Sequence, residues 1–376
     1  MGVSAAPLDV SVARGRLERL RRAARSQGAG AVVVSPGSDL RYLLGVAGES
    51  YERLTCLVVP VGAGDAPVFV APALEYAGLG HLPLAELGVE VRTWVDGEDP
   101  YALAAGGLGA VGAVAVSDFM PALHVMRLRD AGVAAQTLAG PILRELRMCK
   151  DVAEIEQLRR AGAAIDRVHA RVGEWLRAGR TEAEVGADIA AAIVEEGHAS
   201  ADFVIVGSGP NAASPHHSVS DRVIESGDVV VVDIGGPLPS GYCSDSTRTY
   251  AVGPPGEPDV ARVYAALQAA QQASVDAVRP GATCQDVDRA GRAVLAQAGL
   301  AEHFIHRTGH GIGLDVHEEP YIVEGNDLLL EPGMAFSVEP GVYHEGRWGA
   351  RIEDIVVVTE TGCERLNDRP RELTVL

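Results

Sequence analysis

Residues 309–318 read GHGIGLDVHE. The run sets His310 and His317 seven residues apart among glycines, a pattern that no regular helix accommodates. Glycine opens backbone conformations closed to other residues and lets the chain pass close to a ligand. A histidine held at such a place is a candidate metal ligand or acid–base group. Taken alone, the run has a competing reading as a surface loop with incidental histidines, because short motifs are weak signals. Four acids elsewhere decide between the two: Asp233, Asp245, Glu339 and Glu353.

Working outward, the chain beyond about residue 145 repeats itself. Gly179-Arg180-Thr181 opens a helix, with Val185 four residues after the threonine. Gly281-Ala282-Thr283 and Val287 do the same 102 residues on (281 − 179). Gly207-Ser208-Gly209 matches Gly309-His310-Gly311 at the same offset, and His216 matches His317 at an offset of 101. Gly227-Asp228 and the apolar run to Asp233 match Gly333-Met334 and the run to Glu339 at 106. Four matches in one order point to two homologous halves. Packed about a pseudo-twofold axis, such halves would bring Asp233 and Glu339 together.

Each half then adds a second acid. Asp245 lies twelve residues after Asp233, across Pro237, Pro239 and Gly241, and Glu353 lies fourteen after Glu339, across a turn with Gly346 and Gly349. The expectation is two β-hairpins, each presenting one carboxylate per strand. Any one of these acids alone could be a solvated surface group. Val229–Val232 and Ala335–Val338 are apolar, however, which puts the acids that end them at a buried edge. Four carboxylates at one centre repel unless cations lie between them. With one imidazole they suit two hard or borderline divalent ions, such as Mn²⁺ or Co²⁺, better than one structural zinc.

Upstream, an amphipathic helix is expected over about 11–27, with Leu17, Leu20 and Ala24 on one face and Gly28–Gly30 ending it. Strands are expected at 31–35 and 111–116, Arg41–Leu44, 55–60 and 67–71 are each a strand or short helix, and Pro36–Asp39 is a turn. His81 and His124 are isolated and read as structural. Asp151 and Glu154 have capping-box spacing. They begin a helix whose apolar stripe runs through Ile155, Leu158, Ala161, Ile165, Val168, Val172 and Leu176 to Gly179. The domain boundary is placed near 145, giving domains 1–145 and 146–376.

Composition narrows the class. At 376 residues the chain is long for one domain. A net charge of −19 argues against nucleic acid or anionic membranes as partners. The five cysteines are odd in number, widely spaced and without a C-x-x-C, so neither a disulfide framework nor a thiolate zinc site is expected. No apolar run is long enough for a membrane helix. The start, MGVSAAPLDV, carries no secretory signal, and its Met-Gly is discounted as a lipidation signal. A cytoplasmic enzyme is the default.

With GHGIGLDVHE, VEPG (338–341), RIED (351–354) and SDSTRT (244–249) in view, the chain resembles the pita-bread metallopeptidases, and within them the Xaa-Pro peptidases, aminopeptidase P and prolidase. RYLLG and the helix before it resemble the creatinase-type N-terminal domain. The fold implied is α+β: a C-terminal pita-bread domain of two pseudo-symmetric halves after a smaller α/β creatinase-type domain. By the same resemblance, Asp233, Asp245, His310, Glu339 and Glu353 hold two divalent ions, Mn²⁺ with Co²⁺ or Zn²⁺ as alternatives, and Asp245 and Glu353 bridge them. A hydroxide between the ions attacks the carbonyl before proline. His317 stabilises the oxyanion and Glu339 shuttles a proton to the proline nitrogen. His216, His306 and His317 contact substrate, and Arg351 stands near the site. Small peptides with proline second are the implied partners, and a homodimer is implied.

Two departures stand out. The spacing from Asp233 to Asp245 is one residue longer than the family's usual one, and the Pro-rich turn PLPSG is where the extra residue fits. Tyr321 stands four residues after His317, where prolidases often carry an arginine suited to a dipeptide's free carboxylate. Tyr321 is thus a substrate-side candidate that leans towards longer, aminopeptidase P-type substrates. The alternatives are a non-peptide amide hydrolase of the same fold, ectoine hydrolase-like, and a non-catalytic binding module. Five intact ligand positions count against a creatinase-type member without metals and against a binding module, and leave a metal-retaining non-peptide hydrolase open.

Overall fold

The computed structural model describes residues 9–49, 51–62, 64–108 and 112–376. The expectations for residues 1–8 and for Val111 lie outside them. The described chain divides into two compact units, one ending at Arg147 and the other running from Met148 to Leu376.

The first unit holds a six-stranded sheet in the order Glu90–Trp94, Val68–Pro72, Cys56–Pro60, Ala31–Val34, Val114–Val116, Gln136–Leu138. Both pairs made by Cys56–Pro60 are antiparallel and the others are parallel. Every residue of Ala31–Val34, Cys56–Pro60 and Val68–Pro72 is buried. This explains why these strands read as continuous apolar runs rather than alternating ones. The expected first helix spans Val10–Ser26, capped by Asp9 and burying Leu17, Leu20 and Ala24. Residues 38–44 form a helix, so only Pro36 and Gly37 remain of the expected turn.

The second unit repeats its parts as the spacing implied. Helices Val152–Arg171 and Glu182–Glu195 answer to Val260–Ala277 and Cys284–Gln297. Thr181 and Thr283 each close a capping box, with Glu184 and Asp286. Behind each box a positive-φ glycine, Gly179 or Gly281, donates to a backbone carbonyl, that of Ile224 or Leu330. Both carbonyls are displaced by the repeat offset of 106. The first long helix ends sooner than its apolar stripe: a 3₁₀ turn takes over at Val172–Glu174, while Val172 and Leu176 stay buried. Ile165, Val168 and Ile189 pack on Val230, Val232 and Ile234. In the other half Val275 and Val287 pack on Phe336, Val338, Val356 and Val358. Each such side chain contributes about 1.5–3 kcal/mol by leaving water.

The first half builds a four-stranded sheet, Thr374–Val375, Cys243–Ala251, Val229–Pro237, Phe203–Ser208. The second builds a five-stranded one, Glu318–Ile322, Gly309–Gly311, Ala335–Val338, Asp354–Val358, Cys363–Arg365. This is the pita-bread arrangement that the resemblance implies. GHG is therefore a buried strand and not a loop. Its glycines are required by crowding rather than by positive φ, since a Cβ on Gly309 would run into the Ser337 carbonyl oxygen.

Candidate metal centre

The first hairpin runs in register from Val229↔Ala251 to Pro237↔Cys243 without a shift. Asp233 faces Thr247, and Asp245 faces Gly235. Side chains two apart on a strand share a face, so the two acids are diagonal neighbours on one side of the hairpin. The longer spacing from Asp233 to Asp245 is absorbed in residues 238–242, where Gly241 N–H donates to the Leu238 carbonyl and closes a tight turn. Here the sequence expectation holds.

The second hairpin differs from expectation. Ala335–Val338 pairs with Asp354–Val358, ending at Val338↔Asp354. A separate ribbon, Gly341–His344 with Trp348–Arg351, is inserted between them and begins at Gly341↔Arg351. Gly349 is thus a strand residue, and the turn belongs to Gly346, whose φ is 73°. Asp233 sits inside its strand, whereas Glu339 and Glu353 lie just beyond theirs. The register places those two opposite each other at the junction of sheet and ribbon.

The five predicted ligands converge. Single ligand atoms of Asp233, Asp245 and Glu353 lie within 4.8 Å of one another, as do those of His310, Glu339 and Glu353, and those of Asp245, His310 and His317. His310 Nε2 is 3.2 Å from Glu339 Oε1 and 3.5 Å from Asp245 Oδ2. The His310 backbone N–H donates to Ser337 Oγ, and that hydroxyl donates to Glu339 Oε1 at 3.0 Å. Arg351 binds Asp233 Oδ2 at 2.5 Å, the Tyr343 hydroxyl at 2.8 Å and Thr247 Oγ1 at 3.1 Å. Thr247 in turn donates to Glu353 Oε2 at 2.8 Å. Asp233 and Glu353 are each held by one oxygen, while Asp233 Oδ1 and Glu353 Oε1 are buried with no hydrogen-bond partner.

The electrostatics follow from this crowding. Burial, then the charges of Asp233 and Glu339, push the Asp245 carboxyl well above the usual carboxylate range. Burial and the other three acids do the same to Glu353. Burial raises Asp233 as well, with Arg351 opposing. Glu339 goes the other way: its burial is outweighed by the hydrogen bond and charge of His310, which bring it to about 2. Without cations the cluster is quiet only when His310 is protonated against Glu339 and the other acids hold protons. Orphaned buried oxygens and unrelieved like charges are what a pair of divalent cations would correct, so the donor set fits two such ions.

A cavity of about 810 Å³ opens onto the cluster. His216, His306, His317 and Arg351 line it, together with Phe203, Ile205, Pro215 and Val316. His317 lies edge-on to His310, ring centroids 4.0 Å apart. Burial, then the charge of His310, holds His317 down to about 4. His306 Nε2 meets the Tyr343 hydroxyl at 2.9 Å. Tyr321 pairs with His310 in the sheet but is not among the lining residues; its ring lies under the guanidinium of Arg307, which is.

Residues 156–360 match metallopeptidase family M24, and residues 16–149 match the creatinase/prolidase N-terminal domain. The chain belongs to metallopeptidase family M24. It is a hydrolase of that family and is similar over its whole length to proteins called dipeptidases. The probable dipeptidase PepE of Mycobacterium tuberculosis is 58% identical over 369 residues, covering 98% of both chains. The Xaa-Pro dipeptidase of Lactobacillus helveticus is 34% identical over 353 residues, 91% of this chain and 94% of that one. The crystal structure of dipeptidase PepE from Mycobacterium ulcerans superposes with a TM-score of 0.93 at 58% identity, covering 98% of this chain and 99% of that one. No described helix is long and apolar enough to cross a membrane.

Several neighbours of the site went unnoticed in the sequence. Tyr343 and Thr247 fix Arg351 and Glu353, and both lie inside or next to quoted motifs. Glu182 is wholly buried and gathers Ser208, Asn211, Ser220 and His217 beneath the loop that carries His216. Lys150, the one lysine in the chain, pairs at 2.7 Å with Glu318, next to His317. Arg307 was hidden between His306 and the glycine run, where a single arginine carries no pattern.

Proposed function

We propose that the protein is a dinuclear metal-dependent peptidase that hydrolyses the bond between an N-terminal residue and proline. The observation that carries this is the pair of unpartnered buried oxygens, Asp233 Oδ1 and Glu353 Oε1, inside a five-ligand cluster at the floor of a cavity. The names of the relatives point the same way. Asp233, Asp245, His310, Glu339 and Glu353 are the proposed ligands, with Asp245 and Glu353 shared. Two divalent ions there would supply a nucleophile from water near neutral pH and polarise the scissile carbonyl. The one-imidazole, four-carboxylate set favours Mn²⁺, with Co²⁺ or Zn²⁺ as alternatives.

The chain's own groups do the rest. Arg351 holds one oxygen of Asp233 and so aims the other into the cluster. Glu339, which accepts a hydrogen bond from Ser337, would carry a proton to the leaving proline nitrogen. His317 donates to the oxyanion as it develops. His216 and His306 line the substrate's path, and Phe203, Ile205, Pro215 and Val316 offer the proline ring an apolar wall. Tyr321 acts on substrate through Arg307. A tertiary amide has no N–H to recognise, so ring shape must serve. A boundary between domains near residues 145–148, a homodimer and a cytoplasmic setting complete the proposal; the last two are supported by resemblance and composition alone.

The test is release of the N-terminal residue from an Xaa-Pro dipeptide and an Xaa-Pro-Xaa tripeptide, by chelated protein before and after Mn²⁺ or Co²⁺ is returned. Cleavage that depends on metal and on proline in second place is expected. Cleavage of neither peptide would move the assignment to a non-peptide amide, and full activity in the chelated sample would end the dinuclear reading.

A further inference from the structure

Lys150 stands alone in a chain whose other permanently basic side chains are all arginine. It is also buried. Its side chain is 1% exposed, and that of Glu318, to which its Nζ donates at 2.7 Å, is 9% exposed. The desolvation of an ammonium and a carboxylate offsets most of their attraction, and apolar side chains of similar volume would pack such a place as stably. Stability is therefore not what singles out this pair. An arginine would not serve in the same space: its wider planar fork carries more donors than a compact ammonium, and each needs an acceptor when buried.

Both ends of the pair are pinned by backbone. The Lys150 N–H donates to the Gly333 carbonyl at 2.8 Å. Gly333 has a φ of 91°, and a Cβ there would stand 2.7 Å from the Lys150 carbonyl oxygen. Just beyond it runs Ala335–Val338, which pairs with the strand of His310. At the other end the Glu318 carboxylate folds back over residue 313. A Cβ on Gly313 would come within 2.6 Å of Oε1, the oxygen that takes the lysine. One oxygen thus meets both ends of the loop 313–318. The Gly313 carbonyl accepts from the Cys243 N–H at 2.8 Å, which ties the loop to the strand of Asp245 as well.

His317 depends on that loop. Its ring lines the cavity edge-on to His310, and it makes no hydrogen bond among the described residues. Where the ring stands is set by the backbone that carries it. Lys150 and Glu318 are not among the residues lining the cavity, so neither meets a peptide there. We propose that Lys150 is a positioning residue: clamped on Glu318, it fixes the loop 313–318 so that His317 meets the oxyanion. This rests on the reading of His317 above as the group that donates to the oxyanion. Loosening the clamp should slow the chemical step and leave the walls that bind the peptide in place.

The experiment uses full-length, metal-loaded enzyme and one Xaa-Pro dipeptide, with kcat, KM, bound metal and unfolding midpoint measured for each variant. Lys150→Met removes the ammonium and keeps the stem. Lys150→Met/Glu318→Met also removes the carboxylate that the first change strands, and should bring the unfolding midpoint back to that of wild type. Losing an oxyanion donor outright costs about 100- to 1,000-fold in kcat, so a donor displaced by a loosened loop should cost about 10- to 100-fold. Both variants are expected to lose kcat by that factor, with KM within about threefold of wild type. The double variant gives the same readout should Lys150→Met fail to fold. Lys150→Arg, which keeps the charge without the compact shape, should stay at least about threefold below wild type in kcat. In a His317→Ala background Lys150→Met should cost less than about twofold more, because the residue it acts through is gone. Wild-type kcat in the double variant, a loss that falls on KM alone, or an undiminished loss in the His317→Ala background overturns the role of Lys150 and leaves the peptidase reading standing. No cleavage by metal-loaded wild type overturns the peptidase reading, and this one with it.

Discussion

Glu182 offers the sharpest test of how the first half holds the loop bearing His216. Its carboxylate is 0% exposed. Oε1 accepts from the Ser208 N–H at 2.8 Å and hydroxyl at 2.7 Å, and Oε2 accepts from Ser220 Oγ at 2.6 Å and meets His217 Nε2 at 2.7 Å. Asn211 Nδ2 reaches both oxygens at 3.1 Å. Burial pushes this carboxyl up, but the hydrogen bonds from Ser220, Ser208 and His217 outweigh it and leave it below its ordinary value. A depressed acid stabilises the fold above its unfolded pKa, and that stability is lost as pH falls through the folded value. Glu182→Gln keeps the Oε1 contacts but turns an amide NH₂ towards Ser220 and His217. Two hydrogen bonds to a charged group, at roughly 1.5–3 kcal/mol each, are weakened. Both partners can rotate or change tautomer to accept instead, so a net loss of about 2 kcal/mol is expected, close to a 30-fold fall in the folded-to-unfolded ratio. Glu182→Ala strands every donor and should cost about 4 kcal/mol. The assay is denaturant unfolding of metal-loaded protein at pH 7 and pH 4, with kcat and KM alongside. The deficit of the glutamine variant should shrink at the lower pH, and KM should rise because the loop with His216 loosens. Stability within about 0.5 kcal/mol of wild type for both variants would show that the Glu182 carboxylate does not hold this loop.

Three further outcomes follow from the centre. In chelated protein the raised carboxyls of Asp245 and Glu353 contribute stability only while protonated, so thermal stability should fall as pH rises from the ordinary carboxylate range through their raised values. Returned metal should remove that slope; a flat profile in chelated protein would count against the crowding. Asp245→Ala or Glu353→Ala should abolish turnover and lower bound metal while the fold survives, and wild-type rates in either would rule out the shared-ligand role. Gly309→Ala drives a methyl group into the Ser337 carbonyl; a loss of about 2 kcal/mol or more and weakened metal binding are expected, read by unfolding and metal titration.

The repeat made most of the architecture legible, because helices, caps and glycines recur at fixed offsets and each mark has a local physical cause. The first hairpin was legible in its proline- and glycine-rich turn. The second was not: Gly349 looks like a turn residue, yet it is needed in a strand because a Cβ there would meet the Ala212 carbonyl. The first long helix was overextended because burial of Val172 and Leu176 does not require α-helical geometry. Glu182 was invisible for a similar reason. An acid in the first turn of a capped helix reads as solvated, and only tertiary packing shows four side chains converging on it. At Tyr321 the sequence showed one position, and the structure adds the guanidinium of Arg307 over its ring. Arg307 reaches the ring from another strand connection, and no spacing rule links 307 to 321.

The repeat also explains why one half supplies the proposed nitrogen ligand. His310 corresponds to Ser208, and 102 residues before Cys284 stands Glu182. In the first half a buried carboxylate at 182 takes both the N–H and the hydroxyl of Ser208. An imidazole at 208 would be drawn to that carboxylate and away from the cluster. In the second half Cys284 is fully buried and its thiol is pushed up to about 12, so it carries no charge to compete for a histidine. His310 is free to turn its Nε2 towards Glu339 and Asp245. The same site in the two halves thus holds either an anion that organises a loop or a neutral group that releases a ligand. The asymmetry of the proposed metal centre is set one layer behind it, at 182 and 284, as much as at 208 and 310.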